Sequence, residues 1–282
     1  MNILLAGCSF TENSNSWAWC SIPEQYNGRM SSPEDILLEE WNWWTNKKLG
    51  NIDPTYFPKT HWDHIKKLPN ANIKVIGETS GSNTLIARKV IHEIENNEID
   101  TVVFQMTGLE RREILSFDKD FVENYFRDGN FGEGVTVDDV TYLKQDAHTI
   151  DFLERHNTDL DDKTNNFLEV CSNFYLLQEQ EEIRIRNVEA LQSLTMLCEL
   201  KNINLKYFWG FAPHSQPSEF FKKKFKTYVR PYMFEFDTLL EYAKKMLDPS
   251  LVFTLDGCHP HSVAHKLYWN DIVYPYLYNL DK

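Results

Sequence analysis

The chain has 282 residues, 42% of them hydrophobic and 25% charged, which is the composition of an ordinary globule long enough to bury a full α/β core. Its formal net charge of −13, with no basic stretch longer than residues 221–226, excludes an electrostatic grip on nucleic acid or on an anionic membrane. The five cysteines fit neither metal-ligand nor disulfide spacing, the amino terminus lacks a charged leader, and no apolar run approaches the roughly 20 residues that span a bilayer, so free thiols in the cytosol are expected.

The first apolar run, residues 3–6, reads as a buried strand and ends in Gly7-Cys8-Ser9-Phe10-Thr11. That sets a small hydroxyl nucleophile where the chain turns from strand to helix, although Gly and Ser are equally at home there as turn and N-cap residues. Residues 26–72 exceed the usual loop length and gather Trp41, Trp43, Trp44, Trp62, Tyr56 and Phe57. A sugar-binding platform is one reading; an accessory aromatic core is the simpler one. A second strand at 73–76 runs into Gly77-Glu78-Thr79-Ser80-Gly81-Ser82-Asn83, and the spacing of Leu85, Val90, Ile91 and Ile94 predicts a helix over 84–98.

A third strand at 101–106 is followed by Thr107-Gly108-Leu109-Glu110-Arg111-Arg112-Glu113, and an acidic, glycine-bearing insertion covers 116–166. Beyond it the pattern predicts a long helix over 173–200, a fourth strand at 205–211 and a weaker fifth at 251–255. Asp256-Gly257-Cys258-His259-Pro260 comes next, and then a helix over 262–278. Strands alternating with helices predict a parallel sheet with helices on both faces, whose ligands bind beyond the carboxyl ends of the strands. No internal repeat and no Pro/Ser linker divides the chain, so one domain over 1–282, elaborated at about 26–72 and 116–166, is expected.

The residue types that carry chemistry lie near the two ends of the chain. An Asp three residues before a His can accept the imidazole N–H, fix its tautomer and steady the imidazolium while the His deprotonates a serine. The rival is a capped helix start with a surface histidine. His261 and His265 share a helix side and can join His259 around a metal, but no carboxylate pattern beside them supports zinc, so neither a metal nor a cofactor is expected. Cys8 is an alternative nucleophile, since a neighbouring histidine can lower a thiol pKa; successive residues leaving a strand point to opposite sides, so Cys8 and Ser9 do not share the role. Lys222-Lys223-Lys224 and residues 179–182 read as solvated helix faces. Arg111 can clasp a substrate carboxylate or pair with Glu113.

A strand-end Gly-x-Ser-Phe-Thr near the start, taken with Asp-x-x-His-Pro near the end, resembles the SGNH (GDSL-like) hydrolases. The resemblance follows the order of the family's blocks from residue 3 to about residue 278 and leaves both insertions outside it. It implies Ser9 as nucleophile, Asp256 and His259 as the rest of a triad, and Gly81 as the second-block glycine whose N–H helps bind an oxyanion. It also implies a flavodoxin-like three-layer α/β/α sandwich around a five-stranded parallel sheet in the order 2-1-3-4-5. The third block departs from the usual Gly-x-Asn-Asp, because the oxyanion-binding asparagine is missing and Leu109 stands near its place. Thr107 and Arg111 instead match a phage-type subset in which Thr or Ser ends the strand and Arg follows four residues later.

The function so implied is a serine esterase or deacetylase acting on a small-molecule or carbohydrate ester, with Thr107 or Asn83 as side-chain oxyanion donor. Two rivals follow from the same residues: a non-catalytic SGNH-like structural or carbohydrate-binding module, and an acyltransferase that passes the acyl group to a sugar.

Overall fold

A computed structural model describes residues 1–7, 68–77, 81–109, 112–116, 134–137, 140–145, 180–210, 218–248, 252 and 262–281; for 112–145 it describes the backbone alone. Five strands form the main sheet: β1 (Asn2–Gly7), β2 (Asn72–Gly77), β3 (Thr101–Met106), β7 (Asn204–Trp209) and β8 (Met233–Thr238). They are all parallel and lie in the order β2-β1-β3-β7-β8, which is the expected 2-1-3-4-5 when only the strands of this sheet are counted. Three further strands, β4 (Arg112–Ser116), β5 (Gly134–Val137) and β6 (Val140–Gln145), make a small antiparallel sheet in the order β4-β6-β5. It begins a few residues past β3, and β5 and β6 lie within the segment expected as an insertion.

β1 and β3 are continuous apolar runs because both of their faces are covered. On one face, Leu4, Ala6, Val102, Phe104, Met106, Leu205, Tyr207 and Trp209 pack with helices α1 (Asn83–Asn96), α2 (Gln180–Leu200) and α3 (Glu219–Tyr228). On the other, Ile3, Leu5, Val103 and Phe208 pack with α4 (Leu239–Met246), α5 (Ser262–Tyr268) and α6 (Tyr274–Leu280). Phe208 is the hub of this second cluster: its ring centroid lies 5.1 Å from Tyr268 and 5.9 Å from Trp269, the latter edge-on at 90°. Each fully buried apolar side chain of these layers contributes about 1.5–3 kcal/mol relative to exposure.

The fifth strand is the main correction to the sequence reading. It is Met233–Thr238, and of the expected strand at 251–255 only Val252 belongs to the described residues, where it lies buried in a turn. β8 is an edge strand with Glu235 and Phe236 exposed, and a register shift interrupts its pairing with β7 between Tyr207 and Trp209. A half-exposed, charged edge lacks the unbroken apolar run of a central strand. The expected carboxyl-terminal helix also differs, since five residues of π-helix (Trp269–Val273) join α5 to α6. Among the described residues, no helix is long and apolar enough to cross a membrane.

A buried polar knot ties α2 to β7 and to the end of α3. The Thr195 hydroxyl lies 3.0 Å from the Tyr207 hydroxyl, 2.9 Å from the Leu191 carbonyl and 3.0 Å from the Tyr228 carbonyl, and Tyr207 donates to the Leu191 carbonyl. Burial pushes the Tyr207 phenol far above its ordinary pKa, so it remains a neutral donor. Thr195→Val keeps the shape but removes the hydroxyl from this knot. It should lower stability by about 1–3 kcal/mol, read as a lower urea midpoint at unchanged m-value.

Candidate functional site

The strand order reverses direction at β1: β2 lies on one side of it and β3 on the other. In an open parallel sheet, the crevice beyond the carboxyl ends of the strands at such a switch point is where ligands bind. β1 ends there at Gly7, level with Gly77 at the end of β2. The expected nucleophile Ser9, the partners Asp256 and His259, and Arg111 lie outside the described residues, as do Cys8 and most of both insertions. Gly81, Asn83 and Thr107 are described, and all three are buried.

Gly81 leads into α1 through Ser82, whose hydroxyl caps the helix by accepting from the Leu85 N–H at 3.0 Å. Asn83, in the first turn, reaches the residue that follows β3. Its Oδ1 accepts from the Thr107 N–H at 2.8 Å, and its Nδ2 donates to the Thr107 carbonyl at 3.0 Å. One carboxamide thus satisfies both main-chain groups of a single buried residue. The structure therefore brings together two of the expected side-chain donors, and it commits both polar atoms of Asn83 to the Thr107 main chain.

Thr107 itself is 1% exposed, and its Oγ1 has no hydrogen-bond partner among the described residues. An orphan buried hydroxyl costs free energy and asks for an explanation, of which a catalytic role is one. By the alternation of β3, Thr107 continues the phase of Val103, on the face closed by α4, α5 and α6, whereas Val102, Phe104 and Met106 face α1 and α2. The segment Asp256 to His259 leads along the chain into α5, which packs on that same face through Ala264 and Tyr268.

Leu109, near the place of the family's third-block asparagine, is fully buried in the α1/α2 cluster. Its carbonyl accepts from Asn187 Nδ2 at 3.1 Å, and that amide also reaches the Ile183 carbonyl at 2.9 Å. The turn after β3 is therefore held at Thr107 from α1 and at Leu109 from α2. Asn187 is not singled out by its sequence setting, yet it leaves a signal there: it interrupts the buried stripe Ile183, Leu191, Leu194 and Cys198 of α2 with a polar side chain. Asn83 stands in the same relation to Ile86, Val90 and Ile94 of α1.

His265, singled out as a metal candidate, is buried on α5. Among the described residues, no three His, Cys, Asp or Glu side chains come together as a metal-ligand group. A groove of about 380 Å³ lies at the opposite, amino edge of the sheet, lined by residues that include Asn2, Asn72, Lys74 and Asn97. It is shallow, and its polar groups are engaged with the scaffold: Lys74 and Asn97 both bind Glu93 Oε2, at 2.6 and 2.9 Å. Comparison of the chain with protein-family models, with curated proteins and with solved structures finds no match in any of the three.

Proposed function

We propose that this chain is a serine ester hydrolase or deacetylase of SGNH type, built as a flavodoxin-like three-layer α/β/α sandwich. The observation that carries the reading is the switch point itself. A parallel sheet in the order 2-1-3-4-5 gathers the end of β1 and the buried Thr107 hydroxyl along one edge. Ser9 stands two residues beyond Gly7, a span of at most about 7 Å, and His259 three residues before α5, at most about 11 Å.

In this reading the Ser9 Oγ attacks the ester carbonyl while His259 takes its proton, and Asp256 holds the imidazole tautomer and stabilises the imidazolium. The tetrahedral oxyanion accepts hydrogen bonds from the Ser9 and Gly81 N–H groups and from the Thr107 hydroxyl. Collapse expels the alcohol with the proton from His259 and leaves an acyl-serine; water, deprotonated by the same histidine, then releases the acid.

A non-catalytic module of the same fold is the second reading, and the apolar, buried Leu109 in the third block favours it. A panel of short-chain aryl esters and acetylated sugars, run beside Ser9→Ala, decides between the two. Turnover that disappears in Ser9→Ala is the expected result; no turnover of any ester selects the module.

A further inference from the structure

In a parallel ladder, the N–H and C=O of one residue point to the same neighbouring strand, and those of the next residue point to the other. The Met106 carbonyl accepts from the Gly210 N–H at 3.2 Å, on the β7 side of β3. The Thr107 N–H and C=O therefore face the β1 side, beyond the point where β1 ends at Gly7. The Asn83 carboxamide fills that place with two bonds, of 2.8 and 3.0 Å, just as the peptide of a longer β1 would.

We propose, resting on the ester-hydrolase reading, that Asn83 is a positioning residue that acts through Thr107: it occupies the ladder place vacated by β1 and thereby aims the Thr107 hydroxyl at the substrate oxygen. Three observations converge on this role. The clip holds the main chain of the one residue at this edge whose buried hydroxyl lacks a partner among the described residues. A carboxamide is chemically required, because the position must accept from an N–H and donate to a C=O at once, and a carboxylate of the same shape has no proton to donate. The far end of the turn is held separately, by Asn187 at the Leu109 carbonyl, so loosening Asn83 frees Thr107 without releasing the whole turn. Asn83 is thereby reassigned from oxyanion donor to the support of that donor.

The test is a double-mutant cycle of Thr107→Val and Asn83→Asp in the full chain. Its readouts are kcat and KM on an aryl acetate, with folding checked by thermal melt and the amount of competent serine titrated with a fluorophosphonate. Each single change is expected to lower kcat about 100-fold with KM held within about threefold, and the double change to be no slower than the worse single one. Effects that multiply, or an Asn83→Asp kcat within about threefold of the unaltered protein, overturn the positioning role and leave the ester-hydrolase reading intact. An unaltered protein that neither cleaves the ester nor takes up the fluorophosphonate overturns the ester-hydrolase reading, and the inference falls with it. If Asn83→Asp does not fold, Asn83→Ser takes its place in the cycle, and the Thr107 amide of the unaltered protein supplies a second measurement. Exchange at least about 100-fold slower than in an unfolded chain is expected of a clipped amide, and unprotected exchange overturns the clip.

Discussion

Ser9→Ala and His259→Ala are each expected to lower ester turnover by about a million-fold, and the double substitution to be no worse than either, because nucleophile and base act as one unit. The comparison is made on kcat, with the residual rate measured against the uncatalysed reaction. A triad without its serine or histidine still retains roughly 1000-fold acceleration over water from the oxyanion donors and substrate binding. Two losses that multiply would mean that Ser9 and His259 do not work together. A rate that His259→Ala leaves unchanged would make His259 the capped surface histidine that its Pro-bounded setting also permits.

Thr107→Val carries the second largest expected effect. The substitution preserves volume and removes a hydroxyl at the end of β3 that is buried and, among the described residues, without a partner. Losing one oxyanion donor costs about 2.7–4 kcal/mol of transition-state stabilisation, so kcat should fall roughly 100- to 1000-fold while the ground-state affinity changes little. Stability should hold or rise slightly, because an unsatisfied hydroxyl is removed from the interior. A Thr107→Val protein that melts at or above the original temperature and turns over far more slowly is the expected signature. An unchanged rate would instead leave the oxyanion to the main-chain N–H groups.

An unbroken apolar run, more than burial, decides which elements are legible in the sequence. β1, β2, β3 and β7 announce themselves as short apolar runs, and helices α1 and α2 announce themselves by their stripes. β8 is not legible, because an edge strand carrying Glu235 and Asp237 resembles a loop, while residues 251–255 offer a more apolar decoy. The small antiparallel sheet escapes for a related reason: its strands are short, polar and apolar residues mix along them, and β5 and β6 lie inside a segment that reads only as an acidic insertion.

At the candidate site the residue types are legible and their partnerships are not. Asn83 and Thr107 both stand out as donors, yet the clip between them joins positions 24 apart, which no local pattern encodes. Asn187, 78 residues from Leu109, belongs to the same turn and is visible only as a polar interruption of an apolar stripe. The triad rests on the spacing of Asp256 and His259 and on the resemblance that links them to Ser9.

Treating the folded chain with an alkyl fluorophosphonate and locating the adduct by peptide mass spectrometry decides whether Ser9 is a nucleophile activated by a base. A single phosphonyl adduct on Ser9 is expected, lost in Ser9→Ala and strongly slowed in His259→Ala. An adduct elsewhere, on Cys8 for example, or none at all while the protein remains folded, would contradict it.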